Sequence, residues 1–237
     1  MIDTHMHLVP GMDDGAEDME MALVMIIRAK QQGISQIIVT PHSEAFHFSK
    51  EDGRAIFQRL MNTAAKICPE VKLHLGCEVY CEVHIMEQVL ELLDLGVYPT
   101  MNGTKYVLME FSQWVYSENT IPCVEALLSA GYKPIIAHIE RYKHLRDNME
   151  LVSQFREMGA QIQLNTYSLF DEMDDSIKNW ARRLVSERKV DFLGTDAHRT
   201  YYRPPSAKDG LTWLYENVDR EYADAVTWGN AQKLLCV

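Results

Sequence analysis

The chain opens with Ile2-Asp3-Thr4-His5-Met6-His7, a short run that carries two histidines one residue apart. In a strand, residues two apart point to the same face, so the rings of His5 and His7 can reach one metal ion. Because 9 of the 237 residues are histidines, about 0.3 His-x-His pairs are expected by chance. The pair is functionally significant only if both histidines bind a metal. The pair therefore needs support from the rest of the chain.

Short apolar runs like this one recur, and longer stretches with helical spacing separate them. The predicted strands are 2–7, 35–40, 72–78, 106–110, 133–138, 161–165 and 191–195. The predicted helices are 17–32, 52–67, 84–93, 121–130, 149–158, 176–187 and 207–218, and Gly33, Gly131 and Gly159 each stand where a helix should end. This alternation predicts βαβ units with a parallel sheet. We expect one domain over residues 1–237, with seven strands, one fewer than a closed eight-stranded barrel.

Side chains that can bind metals follow the predicted strands at their carboxyl ends, where α/β barrels carry their active sites. They are His42 after the second strand, Glu78 and Glu110 at the ends of the third and fourth, His138 at the end of the fifth, and Asp196 and His198 after the seventh. Asp13 and Asp14 precede the first helix, where a turn or a helix cap is the alternative. Mixed imidazole and carboxylate ligands favour Zn, Mn or Fe over Ca or Mg. Four other histidines, at positions 47, 74, 84 and 144, are assigned to the surface or to packing.

Two arginines also stand near strand ends. Arg141 is the last residue of His138-Ile-Glu-Arg, just after the fifth predicted strand. Arg203 lies five residues after His198, in the loop that follows the seventh. A guanidinium matches the geometry of a phosphate better than an ammonium does. A lone arginine at either position would more often be an ordinary surface charge, and the two together are candidate phosphate contacts.

The composition narrows the possible partners and location. Lys plus Arg is 23 and Asp plus Glu is 34, which gives a formal charge of −11 and disfavours nucleic acid and anionic membranes as partners. We expect no targeting segment and no membrane insertion, since no apolar run reaches the roughly 18 residues of a membrane helix. Five cysteines without a CxxC pair indicate reduced thiols in the cytoplasm. The sequence has no CxxxxxR loop, Walker loop, GxGxxG or GxSxG.

Seven segments together resemble a known family. They are IDTHMHLVPGMDDG (2–15), VTPHS (39–43), GCEVY (76–80), LMEFS (108–112), AHIERY (137–142), QLNTYSL (163–169) and GTDAHRTYYRPP (194–205). They resemble the polymerase-and-histidinol-phosphatase (PHP) fold, and more closely the bacterial tyrosine-protein phosphatases of the CpsB/CapC-like family, encoded with capsular and exopolysaccharide genes. The resemblance implies a distorted (β/α)7 barrel with three divalent metal ions, most often manganese, with iron, zinc or magnesium as alternatives.

The resemblance also implies a role for each matching residue. It places His5, His7, Glu78 and Asp196 on the first metal, Asp14, His42 and His198 on the second, and Glu110 and His138 on the third, with Glu78 bridging. The choice of Asp14 over Asp13 rests on the motif match alone. Arg141 and Arg203 match the arginines that bind the phosphoryl group.

The implied activity is hydrolysis of phosphotyrosine by a metal-activated water, without a covalent enzyme intermediate. The implied partner is an autophosphorylating bacterial tyrosine kinase of polysaccharide export, with a tyrosine-rich tail. The alternatives are a phosphatase of the same fold acting on a small metabolite such as histidinol phosphate, a metal-dependent amidohydrolase, and a non-catalytic protein that captures phosphorylated tails. The short chain and the two arginines disfavour an amidohydrolase. No residue is predicted as general acid, and the sequence does not predict the oligomeric state.

The chain departs from the family pattern at two places. It has Thr166-Tyr167 where small residues are usual, and Arg199 where asparagine is usual. Tyr167 is expected to narrow the entrance of the site or to stack on an aromatic phosphoester, and Arg199 to add a phosphate contact.

Overall fold

The computed structural model describes residues 1–48 and 52–236, with eight strands among them. The strands are β1 (Ile2–Met6), β2 (Gln36–Val39), β3 (Lys72–Leu75), β4 (Glu78–Tyr80), β5 (Tyr106–Glu110), β6 (Lys133–Ile136), β7 (Gln161–Asn165) and β8 (Phe192–Gly194). Each predicted strand appears within two residues of its expected bounds, except the third. The prediction of one continuous strand over 72–78 is wrong, because β3 ends at Leu75 and a separate strand begins at Glu78.

The helices alternate with the strands, as the sequence predicts. They are α1 (Met19–Gln31), α2 (Ser43–Phe48), α3 (Gly53–Ile67), α4 (Met86–Asp94), α5 (Ser117–Ser129), α6 (Met149–Met158), α7 (Asp175–Ser186), α8 (Lys208–Asn217) and α9 (Arg220–Asp224). The backbone at Gly33, Gly131 and Gly159 has φ of 84°, 83° and 109°, which confirms the expected helix ends. Helix α5 begins four residues before its predicted start, so Pro122 lies inside it. Helix α2 and helix α9 were not predicted. No described helix is long and apolar enough to cross a bilayer.

All strand pairs are parallel and form two sheets, in the orders β1-β2-β3 and β4-β5-β6-β7-β8. Isolated parallel bridges connect the sheets at both borders, between His42 and Glu78 and between Met6 and Ala197. At the second border the His7 amide donates to the Ala197 carbonyl at 2.9 Å, and the Asp196 amide donates to the His5 carbonyl at 2.7 Å. Both borders therefore lie among the predicted metal ligands.

The break between β3 and β4 has a local cause at Gly76. A Cβ added there would lie 3.0 Å from the Met101 sulfur and 3.2 Å from the Ile38 side chain, so the backbone passes close to its neighbours. The Gly76 amide still donates to Val39, but the Glu78 amide donates to Pro41, beyond the end of β2. The chain thus leaves the first sheet and pairs with β5, which carries Glu78 to the edge where the two sheets meet.

Helices cover the outer faces of the sheets. Side chains of α1 and α3 pack on the first sheet, where Met25, Ile26 and Leu60 meet Ile37 and Val39. Helices α4 to α7 pack on the second sheet, and their largest buried side chains include Trp180 and Phe155. A third cluster takes Ile2 and Ile38 from the first sheet and Leu108, Ile135 and Phe192 from the second, so the two sheets share an interior.

The contact between β8 and β1 provides a test of this packing. A Cβ added at Gly194 would lie 2.6 Å from the His5 Cβ and 2.9 Å from the Gln163 side-chain nitrogen. We expect Gly194→Ala to lower the free energy of unfolding by about 1–3 kcal/mol, since the crowded strands cannot separate without strain. Urea unfolding followed by circular dichroism measures this. Gly229→Ala is the control, because its nearest atom would be Asp224 O at 3.7 Å. Equal stability of the two variants would contradict the packing described.

Candidate metal centre

The structure brings all nine predicted ligands together. Most of them follow the carboxyl end of a strand or close it, but His5 lies within β1 and Glu78 is the first residue of β4. They form four overlapping groups in which the ligand atoms lie within 4.8 Å of one another. The groups are His7, Asp14, His42 and His198; His5, His7 and Asp196; His5, Glu78 and His138; and His42, Glu78 and Glu110. Because members are shared between groups, the cluster is continuous.

His5, His7, Glu78 and Asp196 form one fully buried part of the cluster. His5 Nε2 lies 3.2 Å from His7 Nε2, 3.2 Å from Glu78 Oε2 and 3.5 Å from Asp196 Oδ1. His7 Nε2 lies 3.3 Å from Glu78 Oε2 and 3.6 Å from Asp196 Oδ1. Ligands bound to one ion at about 2.0–2.2 Å stand about 3.0–3.5 Å apart. Each of the two carboxylate oxygens, together with the two ring nitrogens, therefore has the spacing and the chemistry of a metal-binding set.

Asp14 meets two histidines on the more open side of the cluster. Its Oδ1 lies 3.4 Å from His42 Nε2 and 3.4 Å from His198 Nε2. The other ring nitrogen of His198, Nδ1, is 2.8 Å from the Asp196 carbonyl and donates to it, which leaves Nε2 without a proton and able to bind a metal. Arg203 Nη1 also lies 3.2 Å from that Nε2 and donates to it.

Asp13 does not face the ligand atoms of the cluster. It hydrogen-bonds to the ring nitrogen of His7 on the opposite side. Its Oδ2 accepts from His7 Nδ1 at 2.7 Å and from the His42 amide at 3.0 Å, and its Oδ1 accepts from the Gly15 amide. A carboxylate in this position fixes the ring of a metal-binding histidine and increases its basicity. The geometry therefore separates the two neighbouring aspartates: Asp14 faces the cluster and Asp13 orients His7.

Glu78 lies at the middle of the cluster. Its Oε1 is 2.8 Å from His138 Nε2, while its Oε2 faces His5, His7 and, at 3.2 Å, His42 Nδ1. His42 Nδ1 is also 3.0 Å from Glu110 Oε1. His42 therefore faces Asp14 through one ring nitrogen and Glu78 and Glu110 through the other, so it lies between two of the groups.

The charges in the cluster shift the protonation of its members. Burial would raise the pKa of Glu78, but His5 and His138 hold that pKa well below its usual range. Burial and the nearby charge of Glu78 raise the pKa of Glu110 to about 7. Burial would lower the pKa of His7, yet Asp13 and Glu78 raise it to about 9. Burial and the neighbouring His7 lower the pKa of His198 to about 3. Because binding a metal releases protons from its ligands, cations and protons compete for this cluster.

Both predicted arginines reach the cluster through Asp196. Asp196 Oδ2 accepts from Arg141 Nη1 at 2.8 Å, from Arg203 Nη2, and from Asn165 Nδ2 at 3.0 Å. Its other oxygen faces His5 and His7. Asp196 therefore holds the two guanidiniums beside the metal-binding groups, and both side chains remain partly exposed.

Several polar residues that support the site were not predicted. Gln163 Oε1 accepts from the His138 amide at 2.7 Å, and its Nε2 donates to Asn165 Oδ1 at 2.9 Å. Glu140 is fully buried, and its Oε1 accepts from the Asn165 amide and from Ser168 Oγ. Burial raises the pKa of Glu140 to about 7. The sequence contains one signal for Gln163 and Asn165, since they alternate in the apolar strand β7; nothing in it indicates that Glu140 is buried.

The two residues that depart from the family pattern differ in position. The Tyr167 hydroxyl accepts from Asn165 Nδ2 at 3.1 Å, and the same nitrogen donates to Asp196, the carboxylate that holds both arginines. Arg199 instead donates to the Asp14 carbonyl at 3.1 Å and pairs with Glu17. Its guanidinium thereby links the loop after β8 to the loop after β1, an arrangement that does not favour a phosphate contact.

Of the remaining histidines, three lie outside the metal-binding groups. His74 bonds Gln36, His84 lies beside Glu82 on the surface, and His144 stacks on Tyr116. The side chain of His47 lies outside the described part of the chain.

Comparison with known proteins identifies relatives over nearly the whole chain. A family model described as "Capsular polysaccharide synthesis, CpsB/CapC" matches residues 1–236. Tyrosine-protein phosphatase CpsB of Streptococcus agalactiae serotype III is 30% identical over 242 residues, which cover 99% of this chain and 98% of that protein. Tyrosine-protein phosphatase YwqE of Bacillus subtilis is 32% identical, with 99% and 91% covered.

Solved structures include a tyrosine phosphatase that is similar over most of the chain. A chain from the crystal structures of YwqE from Bacillus subtilis and CpsB from Streptococcus pneumoniae, described as unique metal-dependent tyrosine phosphatases, superposes with a TM-score of 0.82. It is 29% identical, with 94% of this chain and 90% of that chain covered. An amidohydrolase from Mycoplasma synoviae superposes with a TM-score of 0.64 at 10% identity, covering 99% of this chain and 87% of that chain, which shows a shared fold alone.

The position of Asp13 leads to a prediction about metal affinity. Asp13→Asn removes the negative charge behind His7 but keeps an oxygen that can accept its hydrogen bond. We expect affinity for a divalent ion to fall by about 10–100-fold, the usual effect of losing such a supporting carboxylate. Titration calorimetry of the metal-stripped protein with Mn²⁺ measures it. Asp209→Asn, an equal change of charge on the exposed face of α8, is the control. Unchanged affinity in Asp13→Asn would show that Asp13 does not orient His7.

Proposed function

Since this chain belongs to the CpsB/CapC family of capsular polysaccharide synthesis, we propose that it is a metal-dependent phosphatase of phosphotyrosine in proteins. One observation carries the proposal: Asp196 faces two histidines of the metal-binding cluster with one oxygen and accepts from Arg141 and Arg203 with the other. Both features suit a phosphate ester, because cations and guanidiniums can neutralise its oxygens. The relatives named above as tyrosine-protein phosphatases support the same activity.

We propose that the strands form one distorted barrel of the PHP fold within a single domain, residues 1–237. Two features support closure. The bridges between His42 and Glu78 and between Met6 and Ala197 connect the two sheets. The shared core of Ile2, Leu108 and Phe192 lies between them. Seven strand positions result if β3 and β4 are counted as one interrupted strand.

We propose three divalent ions, with manganese the expected species. His5, His7, Glu78 and Asp196 would hold the first ion, and Asp14, His42 and His198 the second; Glu110 and His138 would hold the third, with Glu78 shared. The donor set supports this, since it consists of five imidazoles and four carboxylates, suitable for Mn, Fe or Zn. A carboxylate as buried as Glu78 also needs positive charge nearby, because burying an unpaired charge costs several kcal/mol.

The side chains around the cluster would bind and orient the phosphoryl group. Arg141 and Arg203 would donate to its non-bridging oxygens while Asp196 keeps both guanidiniums in place. Tyr167, fixed by Asn165, would border the phenol ring of the substrate. Bound ions would activate a water for attack and neutralise charge on phosphorus. The leaving tyrosinate needs little protonation.

The physiological substrate that we propose is an autophosphorylating bacterial tyrosine kinase of the polysaccharide-export system. The family description, which names capsular polysaccharide synthesis, supports this choice. We also propose a cytoplasmic location, since all five cysteines are free and four of them are buried. The oligomeric state is not part of the proposal.

The test is hydrolysis of a phosphotyrosyl peptide and of histidinol phosphate by metal-stripped protein before and after addition of Mn²⁺. We expect the metal to restore turnover of the peptide, with histidinol phosphate the poorer substrate. Arg141→Ala and Arg203→Ala should each lower kcat for the peptide by about 10²–10³-fold, since each removes donors to the phosphoryl oxygens. Arg183→Ala, which breaks an exposed pair with Glu187, is the control and should have no effect. Preference for histidinol phosphate would assign the protein to small-molecule metabolism, and turnover of neither would contradict a phosphatase.

A further inference from the structure

A cavity of about 390 Å³ lies next to the metal centre, beyond the carboxyl ends of β4 and β5. It is lined by Cys81, Val83, Ser112, Trp114 and Tyr116, among others. Its volume is in the range of ligand pockets, about 300–1,000 Å³. We call this cavity, with its lining residues, the aromatic pocket.

The aromatic pocket is close to the metal centre along the backbone. Ser112 follows Glu110 by two residues, and the Cys81 amide donates to the Glu110 carbonyl at 2.9 Å. Two residues of extended chain span at most about 7 Å. A peptide with its phosphotyrosine at the cluster therefore needs only a few further residues to reach the pocket.

The lining mixes polar and apolar residues, and three of its large apolar side chains are strongly exposed. Val83, Trp114 and Tyr116 are 49%, 59% and 52% exposed, respectively. Single exposed apolar side chains are common, but three around one cavity indicate a surface that becomes covered in a complex. Tyr and Trp are also the residues that contribute most to the binding energy of such surfaces.

Both rings are held in position before any ligand binds. Lys143 Nζ lies 3.8 Å from the centre of the Trp114 ring, and Tyr116 stacks on His144 with 4.2 Å between ring centroids. The Lys143 amide donates to the Gln113 carbonyl at 3.1 Å, which ties the loop after β5 to the loop after β6. Little conformational freedom would be lost on binding.

The charged groups at the rim already have partners. Glu82 accepts from the Tyr80 hydroxyl and lies 3.3 Å from His84 Nδ1, and Lys143 lies over Trp114. A charged ligand side chain would compete with these contacts, whereas an apolar ring would pack on Trp114 and Tyr116 without disturbing them. Offset or edge-to-face contact with Trp114 and Tyr116 would stabilise a bound aromatic ring beyond the effect of the buried area alone.

We propose that the aromatic pocket binds an aromatic side chain that flanks the phosphotyrosine of the substrate peptide. The metal centre would bind the phosphoryl group, and the pocket would favour peptides with an aromatic residue near the phosphotyrosine. The inference rests on the proposed phosphatase function, which it extends from a reaction to a preferred class of peptide.

The test compares phosphotyrosyl peptides that differ only in the residues within three positions of the phosphotyrosine: aromatic, alanine or glutamate. In the wild type we expect KM to be lowest for the aromatic peptides. Trp114→Ala and Val83→Asp should raise KM for an aromatic peptide about tenfold, should leave KM for the alanine peptide within twofold, and should not change kcat for p-nitrophenyl phosphate. Trp228→Ala changes an exposed tryptophan in the segment Ala225–Gly229, outside the pocket, and should match the wild type.

Other outcomes would overturn the inference. Equal KM values of the wild-type enzyme for the three peptides would show that the pocket does not distinguish the flanking residues. The lowest KM for the glutamate peptide would show that it favours a charged ligand. If Trp114→Ala changed the sedimentation coefficient and not KM, the pocket would be a contact between copies of the chain. Fluorescence polarisation with the same labelled peptides measures binding independently of turnover. Absence of any turnover would therefore count against the phosphatase function and not against the pocket.

Discussion

Burial of the Glu78 carboxylate is the constraint on which the rest of the site depends. This carboxylate is 1% exposed, and its two oxygens face four histidines, at 2.8 Å for His138 and 3.2–3.3 Å for His5, His7 and His42. A negative charge so far from water is stable only beside compensating positive charge. In the protein alone, His5, His7 and His42, whose pKa values nearby carboxylates raise, supply that charge, whereas burial lowers the pKa of His138. Metal cations would supply it in the proposed enzyme. Fold, protonation and metal binding are thus coupled through one side chain.

The fold places that carboxylate by interrupting a strand. Gly76 permits the close passage that ends β3, and Glu78 then begins β4 at the border between the sheets. The other border brings Asp196 beside His5. Backbone strain accompanies this placement, since His138, Asp196 and Arg203 have φ of 29°, 51° and 50°. Non-glycine residues with such φ values are rare and gather where the surrounding structure fixes a functional side chain.

The sequence predicted the parts of this arrangement that follow from periodicity. Alternating apolar runs located the strands, and the residues at or after their carboxyl ends included most members of the cluster. Asp14 was assigned from the family resemblance alone. The sequence could not predict the break at Gly76, because the cause is contact with Met101, which lies far along the chain. Spacing could not separate Asp13 from Asp14, because both are within reach of the histidines and only the backbone turn decides which faces them. Glu140 was missed because its burial depends on the position of β7 and the turn after it.

The most direct test of the central claim measures metal content and activity together in Glu78→Gln. This change keeps the shape of the side chain and removes the charge that the histidines and ions share. Inductively coupled plasma mass spectrometry on protein prepared with Mn²⁺ should find about three ions per chain in the wild type and at most one in the variant. Hydrolysis of a phosphotyrosyl peptide should be lost in parallel, while circular dichroism shows an intact fold. A folded variant that hydrolyses the peptide at the wild-type rate without bound metal would contradict the account.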